Sequence, residues 1–370
     1  MNPKIKELKI GDLTAEIPII QGGMGVGISM SRLASAVANE GGIGVIATAC
    51  IGMLEPDFRK NFLEANIRAL RREIRKAREL TRGILGVNIM VALTNFADMV
   101  KTAVEEEVDI IFSGAGLPLN LPQFLGGSKK TKLVPIVSSA RAAGAIIKRW
   151  LGKYNYLPDA IVVEGPMAGG HLGFKKEQIG DPNYLLEKLV PEVIEETKQV
   201  GETNGKTIPV IAAGGIYTGE DIFKFLQLGA SGVQMGTRFV TTHECDASLN
   251  FKQAYLDSSK DDLVIIESPV GMPGRAIRNQ FIEDIKTGKK KPFQCAYHCI
   301  KTCDCKNSPY CIALVLINAQ KGNLKHGFAF AGQNAYRAEK IISVRELFGS
   351  LLDEYRNALK RAWNAVEICQ

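Results

Sequence analysis

Short apolar runs punctuate the first two thirds of the chain at a steady interval. They fall at residues 17–20, 43–47, 86–91, 109–112, 133–137, 160–163, 209–212 and 232–235. Most are rich in β-branched residues and lack polar alternation, the pattern of strands buried on both faces. Stretches rich in Glu, Lys, Arg, Ala and Leu lie between them, notably 57–80, 96–107, 141–150, 184–200 and 219–228, and read as helices. Strand–helix–strand alternation calls for parallel pairing through right-handed crossovers. Eight such units over about 240 residues predict an α/β fold, a closed (β/α)8 TIM barrel. An open doubly wound sheet is the alternative. Against it, the first glycine motif, QGGMGVG at 21–27, lacks the GxGxxG spacing and its acidic partner.

In a barrel the C-terminal ends of all strands face one site. The residues that follow the apolar runs here are small and polar: Gln21, Gly22, Gly23 and Met24, then Thr48, Asn88, Ser113, Ser138, Glu164, Gly214 and Gly236. The sixth run opens the stretch IVVEGPMAGGHLG at 161–173, where His171 sits among four glycines. Glycine permits φ > 0 and close approach of a ligand to the backbone. His171 is therefore either a substrate-facing group or a polar histidine satisfied within a glycine-rich loop. AAGGI at 212–216 precedes a helix, and MGTRF at 235–239 ends the eighth strand. Barrels commonly bind phosphate between these two loops. The amides of Gly214, Gly215, Gly236 and Thr237, with the Thr237 hydroxyl, are the expected donors, and Arg238 is a candidate charge clamp. No strand end carries a lysine suited to a Schiff base or an acidic array suited to magnesium. An apolar, amide-rich mouth suits a flat uncharged ring tied down by one phosphate, and FMN fits best. Asn88 and Gln21 could bond its ring, with Met24 packed on it.

Composition narrows the partners. At 370 residues, 46% hydrophobic and 23% charged, the chain can bury a large core. The net charge of +7 is modest, and the basic tract Arg68, Arg71, Arg72, Arg75, Lys76, Arg78 has the spacing of a solvated helix face. No nucleic-acid footprint is expected. No apolar run approaches a membrane span, and the opening MNPKIKELKIG lacks a leader's apolar core, so a soluble cytoplasmic protein is expected. The expected partner is a small-molecule substrate, and a homodimer is the assembly considered. Residues 1–240 form the expected barrel domain. Residues 241–370 form a mostly helical C-terminal extension, with helices at 251–256 and 346–367 and an ordered loop feeding a helix at 268–285. Five of the eight cysteines crowd into C-x3-C-x3-C-x-C-x5-C between Cys295 and Cys311. Cys295, Cys299, Cys303 and Cys311 could bind zinc or a [4Fe–4S] cluster, leaving Cys305 spare. Reduced or disulfide-paired cysteines are the other reading.

Taken together, QGGMGVG, GVNIM, SGAGLP, EGPMAGGHLG, IPVIAAGGI and ASGVQMGTRF, in this order, resemble the nitronate monooxygenase family, formerly called 2-nitropropane dioxygenases. Flavin-dependent bacterial enoyl-ACP reductases share the pattern. The resemblance covers roughly residues 12–240, with weaker echoes to about 345. It implies a TIM barrel with non-covalent FMN. It makes His171 the active-site histidine and places FMN contacts at Gly22, Gly23, Met24, Asn88, Gly214, Gly215, Gly236 and Thr237. A glutamine after the histidine loop contacts flavin in part of the family, and Gln178 is the candidate. The implied activity is oxidation of alkyl nitronates to a carbonyl compound and nitrite. The alternative is an NAD(P)H-dependent reductase acting on an enoyl thioester, with NAD(P)H as co-substrate. A non-enzymatic FMN- or phosphate-binding regulator is the third class. The segment 174–207, the long tail and the cysteine cluster depart from the compact reductase pattern and bear on the substrate.

Overall fold

Eight parallel strands close into a barrel in the computed structural model, which describes residues 5–289 and 293–368. They are Ile19–Gln21, Ile43–Ala47, Ile84–Met90, Ile110–Gly114, Lys132–Val137, Ile161–Glu164, Val210–Ala213 and Gly232–Met235. Each pairs in parallel with its sequence neighbours, and the eighth closes on the first through Val233–Ile19 and Met235–Gln21. The eight apolar runs are these strands.

Alternation sorts each strand between two cores. Ile20, Ile43, Val45, Ile110, Phe112, Val134, Val162 and Ile211 fill the barrel interior. Ile19, Ile46, Ile111, Leu133, Ile161, Val163 and Ala212 face outward into the layer beneath the helices. The N-terminal end of the barrel is plugged by an antiparallel hairpin, Leu8–Ile10 with Leu13–Ala15, which the strand pattern did not foretell. Leu8, Ile10 and Ala15 join the interior core, and Asp12 at the turn pairs with Lys132 at 2.6 Å.

Helices Ser31–Asn39, Phe62–Leu80, Phe96–Glu105, Ala140–Tyr154, Leu186–Asn204 and Gly219–Gln227 form the outer ring, and the fourth unit has only the short 3-10 turn Leu121–Leu125. The basic tract on Phe62–Leu80 is a paired surface: Arg68 meets Asp57 at 2.5 Å, Arg71 meets Glu105 at 2.5 Å and Arg75 meets Glu106 at 2.7 Å. Among the described residues no helix is long and apolar enough to cross a membrane.

The chain beyond the eighth strand is largely helical: Leu249–Leu256, Gln280–Lys286, Ile312–Gln320 and Val344–Ile368. The last packs along Gly219–Gln227, close enough that a Cβ on Gly219 would meet the Leu351 carbonyl at 2.1 Å. It also touches Ser31–Asn39, so it sits on the outer ring in the position that follows the eighth strand. The expected stretch 268–285 does feed a helix, Gln280–Lys286, but its loop part is different in kind. Pro273–Ile277 is a strand, paired antiparallel with Leu263–Glu267 on one side and Gly170–His171 on the other. Its Pro, Gly and Arg content hides it from a periodicity reading, and one of its two partners, Gly170–His171, is remote in sequence.

Helix Ser31–Asn39 approaches the second strand so closely that a Cβ on Gly44 would lie 1.8 Å from the Ala34 carbonyl oxygen. Gly44→Ala should destabilise the fold by at least the 1–3 kcal/mol usual for overpacking. Urea denaturation followed by far-UV circular dichroism checks this, and an unchanged midpoint would contradict the packing described.

Candidate active site

A cavity of about 660 Å³ lies at the C-terminal end of the barrel, roofed by the extension. Gly22, Gly23, Met24, Asn88, Gln178, Gly214, Gly215, Gly236, Thr237 and His171 all line it. Parallel closure brings them together from four strand ends and the loop after the sixth.

The loops after the seventh and eighth strands form a cradle of backbone donors. Gly214 and Gly215 hold φ of +93° and +90°, a left-handed path open to glycine. Among the described residues, the amides of Gly214, Gly215 and Thr237 donate no hydrogen bond. The Thr237 hydroxyl accepts from the Gly332 amide at 3.1 Å, which leaves its own proton free. Asn334 Nδ2 donates to the Gly215 carbonyl at 2.6 Å and holds that loop. Gly236 differs from its neighbours: a Cβ there would meet only Met24, at 3.5 Å from Sδ. The fold does not require a glycine at 236, whereas a Cβ on Gly214 would lie 2.8 Å from the Gly165 carbonyl.

His171 lines the same cavity, and its position depends on the extension. Gly170 and His171 pair with Arg275 and Gly274. The Arg275 guanidinium, 3% exposed, donates through Nη1 to the carbonyls of Pro166 at 2.7 Å and Ala168 at 2.6 Å. The Leu172 amide donates to the Pro273 carbonyl at 2.9 Å. His171 Nε2 lies 2.7 Å from Ser268 Oγ, and Phe330 presents its edge to the ring at 4.9 Å between centroids. Among the described residues Nδ1 has no partner. Burial lowers the imidazole's pKa to about 4, so the ring is neutral at pH 7. Glu164, at the end of the sixth strand, also lines the cavity, and burial raises its carboxyl to about 7. Two groups at one mouth are thus pushed in opposite directions, the usual mark of divided acid and base roles.

Several sequence expectations change. Gln21 does not face the cavity. It is fully buried, with Nε2 donating to the Gly22 and Val45 carbonyls and Oε1 accepting from the Val45 amide at 3.1 Å. It locks the first strand to the second. Arg238 is not a clamp in the cradle: its guanidinium lies over the Tyr217 ring, 4.7 Å from the centroid, away from the cavity wall. Gln178 reaches the cavity, but Oε1 is occupied by the Lys175 amide at 2.8 Å. Among the described residues no three His, Cys, Asp or Glu side chains are grouped to hold a metal ion, so Cys295, Cys299, Cys303 and Cys311 are not arranged as a zinc or [4Fe–4S] site. Cys369 lies outside the described residues.

Ser268, Arg275, Phe330 and the turn Gly332–Asn334 reach the site without having been singled out in the sequence. They come from the extension, where strand signals are weak. The only hint was the string FAGQNAYR at 330–337, dense in Gly, Asn and aromatic residues and placed just before the last helix.

A model of the nitronate monooxygenase family matches residues 6–354. A probable nitronate monooxygenase of Staphylococcus aureus is 29% identical over 309 residues, spanning 74% of this chain and 78% of the relative. A (3aS,4S,5R,7aS)-5-hydroxy-7a-methyl-1-oxo-octahydro-1H-indene-4-carboxyl-CoA dehydrogenase of Mycobacterium tuberculosis is 29% identical over 282 residues, 74% of this chain and 67% of the relative. Among solved structures, FabK from Thermotoga maritima has a TM-score of 0.74 at 28% identity, covering 94% of this chain and 96% of its own. Nitroalkane oxidase from Streptomyces ansochromogenes has the same fold, with a TM-score of 0.72 at 22% identity, covering 94% of this chain and 97% of its own.

The half-buried histidine has a consequence in pH. Its folded pKa, about 4, lies below the ordinary 6.5, so the unfolded chain takes up a proton that the folded chain refuses. Its contribution to stability is complete above pH 6.5 and falls as the pH drops toward 4. Glu164 acts in the other sense: held at about 7 against 4.5, its contribution is present below pH 4.5 and is lost as the pH rises to 7. The direct check is an NMR titration of the His171 ring, which should stay neutral down to about pH 5. A midpoint near the ordinary histidine value would contradict the site as described.

Proposed function

The chain belongs to the nitronate monooxygenase family of oxidoreductases, and from that premise we propose that it is an FMN-dependent enzyme converting alkyl nitronates to a carbonyl compound and nitrite. One arrangement carries the reading: a cradle of undonated amides and a neutral histidine lining one cavity.

The residues present fit a flavin mononucleotide. The amides of Gly214, Gly215 and Thr237, with the Thr237 hydroxyl, match the acceptors of a phosphate monoester. Gly236 leaves open the space that a side chain would fill. The Asn88 side chain, without a hydrogen-bond partner among the described residues, and the Met24 thioether offer a polar and a polarisable contact to the ring. The bound flavin supplies the electron acceptor for the substrate and the route to oxygen.

His171 does the proton chemistry. With Nε2–H donating to Ser268 Oγ, Nδ1 keeps its lone pair and can remove a proton from the carbon of a neutral nitroalkane. In the other tautomer Ser268 donates to Nε2, and Nδ1–H can bond a nitronate oxygen. A neutral ring is the form a base requires. Phe330, packed against the ring, keeps water from it, which strengthens either bond.

A second reading is an NAD(P)H-dependent reductase acting on an enoyl thioester. It is favoured by the Mycobacterium tuberculosis relative, whose name specifies a carboxyl-CoA substrate, and by a cavity with room for a chain beyond a small nitroalkane.

His171→Asn separates the roles. On a neutral nitroalkane, turnover should fall by about 10²- to 10⁴-fold, the usual worth of a general base. On a pre-formed nitronate the loss should be smaller, because no proton is removed. No loss on either substrate would defeat the proposal. The cofactor site has its own check. Gly236→Val should keep the thermal midpoint within a few degrees yet weaken FMN binding at least about tenfold in apoprotein titration, since the new side chain enters the cradle. Unchanged affinity would place the phosphate elsewhere.

A further inference from the structure

Cys50 and Cys299 meet across the seam between the barrel and its extension. After the second strand the chain turns through Cys50 in a left-handed conformation, φ +51°, into the short helix Ile51–Leu54. A cysteine rarely adopts this conformation. The turn carries its side chain inward, where it is 5% exposed and packs with Val26, Met53 and Phe58 from the barrel and Cys299, Ala313 and Ile317 from the extension. The two thiols share this cluster closely enough that each shifts the other's ionisation, Cys299 raising that of Cys50 and Cys50 lowering that of Cys299.

Cys299 is held from its own side. Its carbonyl accepts from the Thr94 amide at 3.1 Å, the Lys301 amide donates to the Ala92 carbonyl at 2.9 Å, and Leu93 bridges Ile300 antiparallel. The cysteine-rich segment is therefore stapled to the loop after the third strand, and the Cys50 loop comes from the second. Neither thiol can drift from the other without breaking that ladder or the packing around Cys50. Both line the cavity, which gives a small reagent access to them. Cys311, the residue before helix Ile312–Gln320, packs against the same cluster and is the rival partner.

We propose that Cys50 and Cys299 form a reversible disulfide, made and broken by exchange with low-molecular-weight disulfides and thiols, and that this bond latches the extension onto the barrel at the cavity wall. The exchange balances without other reagents. One cysteine thiolate attacks a small disulfide RSSR, forming a mixed disulfide and releasing RS⁻. The second thiolate attacks the protein sulfur of that mixed disulfide, closing the Cys50–Cys299 bond and releasing another RS⁻. Two protein thiols are oxidised, one RSSR is reduced to two RSH, and the two protons pass from the cysteines to the leaving thiolates. The proposal stands apart from the choice of substrate and needs no flavin.

The test uses the full-length protein as purified, equilibrated with oxidised glutathione and then alkylated and mapped by mass spectrometry without reduction. The wild type, with eight cysteines, should lose two alkylatable thiols and yield a Cys50–Cys299 peptide pair, both reversed by dithiothreitol. Cys50→Ser and Cys299→Ser should each give no intramolecular peptide pair and stop at a glutathione mixed disulfide on the remaining partner, a loss of at most one thiol, while Cys311→Ser should still lose two and yield the Cys50–Cys299 pair. The wild-type map decides by itself if a variant fails to fold. No loss of thiols, a Cys299–Cys311 pair in place of the expected one, or stoichiometric zinc or iron protecting these cysteines until chelated would each overturn the proposal.

Discussion

The antiparallel contact between Gly170–His171 and Gly274–Arg275 is the constraint on which the site depends. A glycine-rich loop leaving a barrel strand has many conformations, and ordering it costs about 1–2 kcal/mol per residue in backbone entropy. The barrel alone offers little to meet that cost. The extension does, through a strand laid along the loop and through Arg275, whose guanidinium bonds two of the loop's carbonyls. The same extension sends Gly332 to the Thr237 hydroxyl and Asn334 to the Gly215 carbonyl. One inserted segment thus positions both the histidine wall and the phosphate-type cradle. This explains why the chain leaves the barrel after the eighth strand and returns to the outer ring only with Val344–Ile368.

The electrostatics of the mouth follow from burial more than from charge pairing. His171 is made neutral by desolvation, and the Glu164 carboxyl is raised to about 7 by the same cause acting on a group of opposite type. The cradle is built of amide dipoles, with Arg238 stacked on Tyr217 outside the cavity wall. A site of this kind favours an anion through directed hydrogen bonds in a partly dry space, with little dependence on ionic strength.

The barrel was legible in the sequence because parallel strands buried on both faces are continuous apolar runs, and their boundaries fell within a few residues of those seen. The residues at strand ends were legible for the same reason, since closure must gather them at one face. What stayed hidden depends on direction or on distant pairing. Gln21 and Arg238 stand at the right strand ends, yet one turns into the sheet and the other outward, and no composition or spacing encodes that turn. Pro273–Ile277 reads as a loop because its partners are His171 and the Leu263–Glu267 strand, remote or weakly patterned in sequence. The hairpin at Leu8–Ala15 is too short to show a period. The cysteine spacing suggested a local metal site, while the structure sets Cys299 against Cys50 from another part of the chain. The family motifs named the barrel and its glycines well, and were silent on Ser268 and Arg275.

Steady-state turnover of the flavin-loaded protein with propyl-2-nitronate, read as coupled oxygen uptake and nitrite release, tests the central claim most directly. The account predicts saturable oxygen consumption with nitrite formed in step and no requirement for NAD(P)H. Absence of nitrite, together with NAD(P)H oxidation that depends on an enoyl thioester, would contradict it and establish the reductase chemistry instead.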